Sequence, residues 1–411
     1  MPRALRPVFL CLAAALPAVA LRLSGVHPSA PLAIVVFGLG VVAASFVLAW
    51  AAEAAEVDIS GGLAIALLAV IAVLPEYAVD LYFAHTAGSD PAYVQYAAAN
   101  MTGSNRLLLG LGWSSVVLIS LYVASRRSGR TVKALVLDSG YKRELGFLGI
   151  ASVVAFVIPV TGQIHLVLGI GLLAFFGYYL WRAAASGHDE EPDLIGPAAR
   201  IGALPTVQRR TAVIGMFVTA ALVILMAAEP FADSLVEGGH ALGIDQFLLV
   251  QWLAPLASEA PEFIVALLFA WRGKGGAALG LLISAKVNQW TLLIGSLPIA
   301  YMIGGGSAAL HLDGRQVEEF LLTATQTLLG LAVLLSLRFP RWAAWTLLGL
   351  FAVQFAVPGQ TGRYVLCGVY LALTVVALVR NRQYILPTIT SPFRRTEKPA
   401  GAERADELVE V

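Results

Sequence analysis

A chain of 411 residues that is 58% hydrophobic and only 13% charged cannot give each of its helices the polar face that a water-soluble fold of this length requires. Its formal net charge is +1, and its two cysteines, Cys11 and Cys367, both lie inside apolar runs, offering neither a disulfide framework nor a metal-ligand spacing. Apolar runs of about 20 residues, the length a helix needs to cross a bilayer, recur from end to end and place the chain in a membrane.

In chain order these runs predict twelve spans, at roughly 7–23, 31–52, 60–86, 92–122, 145–160, 163–183, 211–232, 244–270, 276–303, 317–337, 341–357 and 363–379. The first follows Arg3 and Arg6 and carries Ala18-Val19-Ala20, so a secretory signal competes with a retained helix there. With both termini cytoplasmic, 22 of the 27 Lys and Arg fall on the cytoplasmic side. Arg22, Arg315 and Arg363 fall outside, while Arg106 and Lys286 lie within spans. The expected organisation is a first membrane half over 1–183 and a polar cytoplasmic linker over 184–210. A second membrane half over 211–390 and a disordered cytoplasmic tail over 391–411 complete it.

The two halves carry matching signals. The first has Ala51-Ala52-Glu53, then Leu74-Pro75-Glu76, then Gly103-Ser104-Asn105 and a glycine-rich apolar finish. The second has Ala227-Ala228-Glu229, then Ser258-Glu259-Ala260-Pro261-Glu262, then Ser284-Ala285-Lys286. The Pro-Glu helices are the third and eighth spans, so they run in opposite directions, the inverted-repeat plan of many secondary transporters. A proline within a membrane helix frees a backbone carbonyl about one turn earlier, and a neighbouring glutamate puts a carboxylate at the same depth. Together they make an oxygen site suited to a hard cation. The plainer reading of either pair is a kink beside a packed, protonated acid; two pairs at matching places in opposed repeats favour a transport site near the bilayer midplane.

At these residues the chain resembles the Ca²⁺/cation antiporter superfamily, which includes the sodium/calcium and calcium/proton exchangers. The resemblance rests on Leu74-Pro75-Glu76, Asn100-Met101-Thr102-Gly103-Ser104-Asn105, Ser258 and Pro261-Glu262, within the motif regions 50–123 and 225–303. It implies an all-α polytopic fold of about 12 helices, two inverted five-helix repeats with one extra helix at each end. It also implies that Glu76 and Glu262 are the central metal ligands, with Ser104, Ser258 and Asn105 as lesser oxygen donors. The further polar ligand one turn past Asn105 corresponds to Gln289 in the second repeat, or to Asn288 if the register slips by one.

Several residues depart from that pattern. Ala72 and Val73 remove two expected oxygens from the first repeat, Glu259 stands where a serine is usual, and Lys286 stands where the last Asn would be. Fewer oxygens and an added ammonium disfavour loading several sodium ions. Glu259 and Glu262 share a helix face and cannot both ionise cheaply, the situation a proton-coupled carrier uses; Glu259 neutralising Lys286 is the competing account. Lys286 is expected to pair with one of these glutamates as a built-in cation, or else to bond backbone carbonyls. Asp80 reads as a second ligand or an entrance charge, and Arg106 as a snorkelling side chain or the partner of an acid. Glu53 and Glu229 occupy matching span ends and read as gates or as interfacial caps.

The functional expectation is a secondary antiporter moving Ca²⁺, or a similar cation, in exchange for H⁺ or Na⁺ by alternating access. The alternatives are a Na⁺/H⁺ exchanger on the same scaffold and an intramembrane metal-dependent enzyme, the latter disfavoured because an enzyme needs one asymmetric site. No catalytic motif stands out, no cofactor is expected, and no nucleic-acid partner is expected. The expected setting is the plasma (inner) membrane, as a monomer or weak homo-oligomer, with inorganic cations and the lipid bilayer as partners.

Overall fold

The computed structural model describes residues 2–58, 73–184, 194–357 and 359–394. Among them, nine helices are long and apolar enough to cross a membrane. A tenth candidate is the bent pair Gln246–Ser258 and Ala260–Trp271, two helices at 58° across a one-residue break. Two expected spans are not among these. The one at 60–86 overlaps residues 59–72, which lie outside the described residues. The one at 341–357 is a helix of 13 residues, Arg341–Val353, about 20 Å long and short of the hydrocarbon core. The fold is thus an all-α membrane fold, ornamented by two short antiparallel ribbons.

The chain divides into two compact units, each drawing on both halves of the sequence: Met1–Asn100, Gly177–Pro261 and Ala300–Gly306 form the first, and Met101–Phe176, Glu262–Ile299 and Ser307–Val411 the second.

The first unit is built around α1 (Pro2–Ser24), α2 (Ala30–Ala55), α3 (Leu74–Ser89) and the opening turns of α4 (Val94–Leu107). The expected linker is partly helical: α9 (Gly196–Gly202) packs on α1 and α2 before the long α10 (Thr206–Leu242) begins. Lipid tails are as apolar as leucine, so helices associate in a bilayer by close packing of small residues rather than by burial from water. The α2 sequence supplies them: Gly38, Gly40, Ala43, Ala44, Ala51 and Ala54 are buried. A Cβ on Gly40 would come within 2.7 Å of Ala18 Cβ, and one on Gly38 within 3.0 Å of the Phe231 ring. Outward faces remain apolar, as at Ile214, Leu222 and Leu225 on α10, a surface suited to lipid. Just past the end of α2, Asp58 accepts from Arg209 Nε and Nη2, both at 2.7 Å, and from Arg210 Nε at 3.1 Å.

The second unit contains α5 (Ser114–Ser128), α6 (Tyr141–Ala155), α13 (Gly275–Asn288), α15 (Gly314–Leu334), α16 (Arg341–Val353) and α17 (Gln360–Arg380). Asp313 caps α15: its side chain accepts from Gln316 N (2.8 Å) while the Gln316 side chain accepts from Asp313 N (3.1 Å), satisfying two donors at the helix start. The first ribbon pairs Ala134–Val136 with Arg338–Pro340, and the second pairs Gln163–His165 with Ala309–His311. Corresponding residues lie equally far apart along the chain. The accessory bonds repeat in step: Leu137 N donates to Leu337 O (2.8 Å) and Leu312 N to Gly162 O (2.9 Å). Arg341 N donates to Lys133 O and Leu166 N to Ala308 O, each at 2.8 Å. The turns before Gln163 and before Arg338 each hold a left-handed residue. Gly162 fills one at φ +67°, and Leu337, the only non-glycine residue at positive φ among the described residues, fills the other at φ +58°; a leucine there costs on the order of 1–2 kcal/mol.

The expected tail is ordered at its start. After α18 (Arg382–Ile389), a 3₁₀ turn at Ser391–Phe393 packs on α6, with Ser391 Oγ donating to Lys142 O (2.9 Å). Residues 395–411 lie outside the described residues.

Candidate ion-transport site

Both Pro-Glu pairs occupy the same place in a helix. The helix α3 starts at Leu74, so Pro75 is its second residue and Glu76 its third. The helix α12 (Ala260–Trp271) starts at Ala260, so Pro261 and Glu262 stand second and third. The sequence reading had each proline interrupting a helix from within; the prolines instead open fresh helices. A proline costs little there, because the first amides of a helix have no intrahelical acceptor. A carboxylate there meets the free N–H groups and the positive end of the dipole.

Between α11 (Gln246–Ser258) and α12 the break itself is Glu259, at φ −95° and ψ −3°. Its own N–H still bonds Pro255 O at 2.9 Å. Pro261 lacks the N–H that would have bonded Ala257 O, so the end of α11 offers backbone oxygen to a cation. Ser258 Oγ donates back to Ala254 O (3.1 Å), which leaves its lone pairs available.

In the first unit, Glu76 is buried and Asp80, one turn on, is fully buried. Asn100 on α4 is the polar neighbour of Asp80, yet neither Asp80 oxygen has a partner in good hydrogen-bond geometry. A carboxylate so placed carries a large desolvation cost unless a proton or a cation meets it. Ser258 and Glu259 are buried in this unit too, Glu259 only 2% exposed.

The second unit collects the remaining sequence candidates. Ser104 Oγ accepts from Gln289 Nε2 at 2.9 Å, which joins the two polar motifs. The helix α4 passes into a π-helical turn at Leu108–Trp113, and α13 into one at Gln289–Leu293. Such turns are uncommon and cluster at functional sites. Asn105 Nδ2 donates to Met101 O (3.1 Å), and Asn105 O accepts from Lys286 Nζ at 2.5 Å. The Lys286 ammonium, wholly buried, also lies 5.9 Å from the Trp290 ring centroid. Of the two fates expected for Lys286, bonding to a backbone carbonyl is one the structure displays. Glu262 is half-buried and Asn288 buried.

Arg106 does not snorkel. Its guanidinium meets Glu319 on α15 at 2.5 Å, and Arg363 on α17 contacts Glu319 and stands 3.4 Å from Glu318. The two arginines and two glutamates balance, as buried charges must. Further along α15, Thr323 Oγ1 donates to the backbone Glu319 O and Thr327 Oγ1 to the backbone Thr323 O, while Trp290 Nε1 donates to Thr327 Oγ1. Sequence reasoning missed Glu318, Glu319 and Thr327 as partners of the motif helices. Two acids at the edge of an expected span look like loop charges, though the polar stripe Glu319-Thr323-Thr327 at i, i+4 was a usable signal. Among the described residues no group of three or more His, Cys, Asp and Glu is arranged to hold a metal ion.

Comparison with known proteins adds a second line. A family described as "Sodium/calcium exchanger protein" matches residues 29–184 and 212–358. The crystal structure of an H⁺/Ca²⁺ exchanger, CAX, is similar at 40% identity and a TM-score of 0.88, covering 95% of this chain and 98% of that one. Native YfkE is similar in fold at 18% identity and a TM-score of 0.61, covering 88% and 98%. So is the sodium-calcium exchanger NCX_Mj, at 17% and 0.51, covering 86% and 100%. Among curated proteins none matches.

Proposed function

The chain belongs to the sodium/calcium exchanger family, and from that premise we propose that this cation antiporter moves Ca²⁺ across the membrane in exchange for protons by alternating access. One observation carries the choice of counter-ion: the 40% identity, over 95% of the chain, to a structure described as an H⁺/Ca²⁺ exchanger. The residues agree with it. Glu259 and Glu262 bring a second carboxylate to the broken helix, so a proton is readily exchanged there. Val73 offers no side-chain oxygen at the start of α3, and Lys286 supplies a fixed ammonium, so several sodium ions would lack hard ligands.

Glu76 and Glu262 are the central Ca²⁺ ligands in this proposal, with Ser104, Ser258, Asn105 and Gln289 as oxygen donors. Lys286 acts as a built-in cation. The architecture we infer is about twelve helices in two inverted repeats, both termini cytoplasmic, in the plasma (inner) membrane, working as a monomer or weak homo-oligomer. Support for the repeats comes from the two Pro-Glu pairs at the same helix positions, the two π-helical turns, and the two ribbons with matched bonds. The test is transport by purified protein in sealed vesicles with an internal Ca²⁺ reporter. An imposed pH gradient should drive Ca²⁺ uptake, and an equal Na⁺ gradient should not. Uptake driven by Na⁺ alone would reverse the choice of counter-ion.

A further inference from the structure

We propose that the second unit carries a site for the headgroup of an anionic phospholipid at its cytoplasmic rim, formed by Arg126, Arg130 and Arg341. These arginines line a recess of about 560 Å³ together with Tyr122, Ser125 and Trp345. The recess lies where α5 ends and α16 begins, beside the first ribbon: Arg126 stands on the last turn of α5, Arg341 opens α16, and Arg130 lies on the link from α5 to the ribbon.

Three observations specify the ligand. The first is charge. Arg126 donates to Tyr122 Oη at 3.3 Å and Arg341 to Ser125 Oγ at 3.3 Å, and none of the three arginines has a carboxylate partner among the described residues. No acid occurs between Pro91 and Leu137, while Arg127 and Lys133 add to the field. Arg127 is held elsewhere, donating to Arg272 O at 2.9 Å. Three forked donors with spare N–H groups are complementary to phosphate oxygens.

The second is depth. Tyr122 is 49% exposed and Trp345 59%, with Trp271 and Trp342 similarly exposed nearby in the fold or the chain. Exposed Trp and Tyr at the ends of apolar helices mark the headgroup level of a bilayer. The third is the inner wall: Leu118, one turn inward on α5, also lines the recess, so the site passes from cationic to apolar in the direction a lipid passes from headgroup to acyl chain. A free phosphate ion uses the arginines but gains nothing from that gradient. The side follows from the Lys and Arg asymmetry of the chain, and the cytoplasmic leaflet is where basic pockets between helices meet anionic lipids.

The experiment uses the full chain in detergent and compares phosphatidylglycerol, phosphatidylcholine and inorganic phosphate. Native mass spectrometry counts retained lipid, and thermal unfolding reports stabilisation. Phosphatidylglycerol should be retained one per chain and raise the unfolding midpoint; phosphatidylcholine and inorganic phosphate should do neither. The triple variant Arg126→Ala/Arg130→Ala/Arg341→Ala should bind phosphatidylglycerol on the order of a hundredfold more weakly, at about fivefold per arginine. Arg127→Ala should retain the lipid. If the triple variant fails to fold, Arg126→Gln/Arg130→Gln, which leaves the Arg341–Ser125 bond intact, should still lose at least tenfold. Equal retention of phosphatidylcholine, full stabilisation by inorganic phosphate, or undiminished binding by the folded variants would each overturn the assignment.

Discussion

Glu76 and Glu262 stand third in their helices, each directly after a proline, and this shared placement gives the two acids a chemistry that a mid-helix acid lacks. The first amides of a helix have no intrahelical acceptor, so an acid at its start is favoured by those donors and by the positive end of the dipole. If they are the central ligands, Glu76→Gln and Glu262→Gln should each abolish Ca²⁺ flux in vesicles while the protein still inserts and unfolds at a similar temperature; persistent flux in both would place the ligands elsewhere. Asp58 offers a separate pH test outside the spans. Hydrogen bonds from Arg209, with Arg210 adding to them, pull its carboxyl from the ordinary 3.8 to about 2. Because the folded value is the lower one, this bridge stabilises above pH 4 and its contribution disappears as pH falls through about 2. Asp58→Asn should therefore lower the unfolding midpoint by a few degrees at pH 7, and the difference from the unaltered protein should shrink towards pH 2.

At the scale of elements, the sequence was informative where an unusual residue interrupts an apolar run. Pro75, Glu76, Pro261 and Glu262 announced themselves because acids and prolines are expensive in a membrane helix. The direction of the break did not. A proline that kinks a helix and one that opens a helix read alike, and only the start of α12 at Ala260 separates them. The π-helical turns at Leu108 and Gln289 were equally silent, since one extra residue per turn leaves no pattern in hydropathy. The partner of Arg106 lies on a helix far along the chain, so the Arg106–Glu319–Arg363 cluster needed the fold. That cluster predicts an order of effects. Glu319→Gln strands the fully buried Arg106 and should cost about 3–5 kcal/mol. Glu318, which faces Arg363 at 3.4 Å, should cost less when changed to Gln. Thermal unfolding of the two variants in one detergent checks this, and equal losses would remove Glu319 from its central place. The matched ribbons make a further point: Gly162 and Leu337 answer each other at left-handed turns. Leu337→Gly should therefore raise stability, by on the order of 1 kcal/mol; a loss would mean that packing of the leucine outweighs its backbone strain.

For the molecule as a whole, the family and the membrane setting were already legible from residues 50–123 and 225–303. The division into compact units was not, because each unit takes helices from both halves of the chain. The proposed cycle makes the same carboxylates carry Ca²⁺ in one direction and protons in the other. Protons then compete with Ca²⁺, so binding should be tight at high pH and weaken as pH falls. The most direct measurement is calorimetric Ca²⁺ binding to the purified chain at several pH values in buffers of different ionisation heat, which counts the protons released. The account predicts that each Ca²⁺ bound releases at least one proton near neutral pH, and that the Glu76→Gln/Glu262→Gln double variant neither binds nor releases. Binding with no proton release and no pH dependence, or undiminished binding by the double variant, would contradict it.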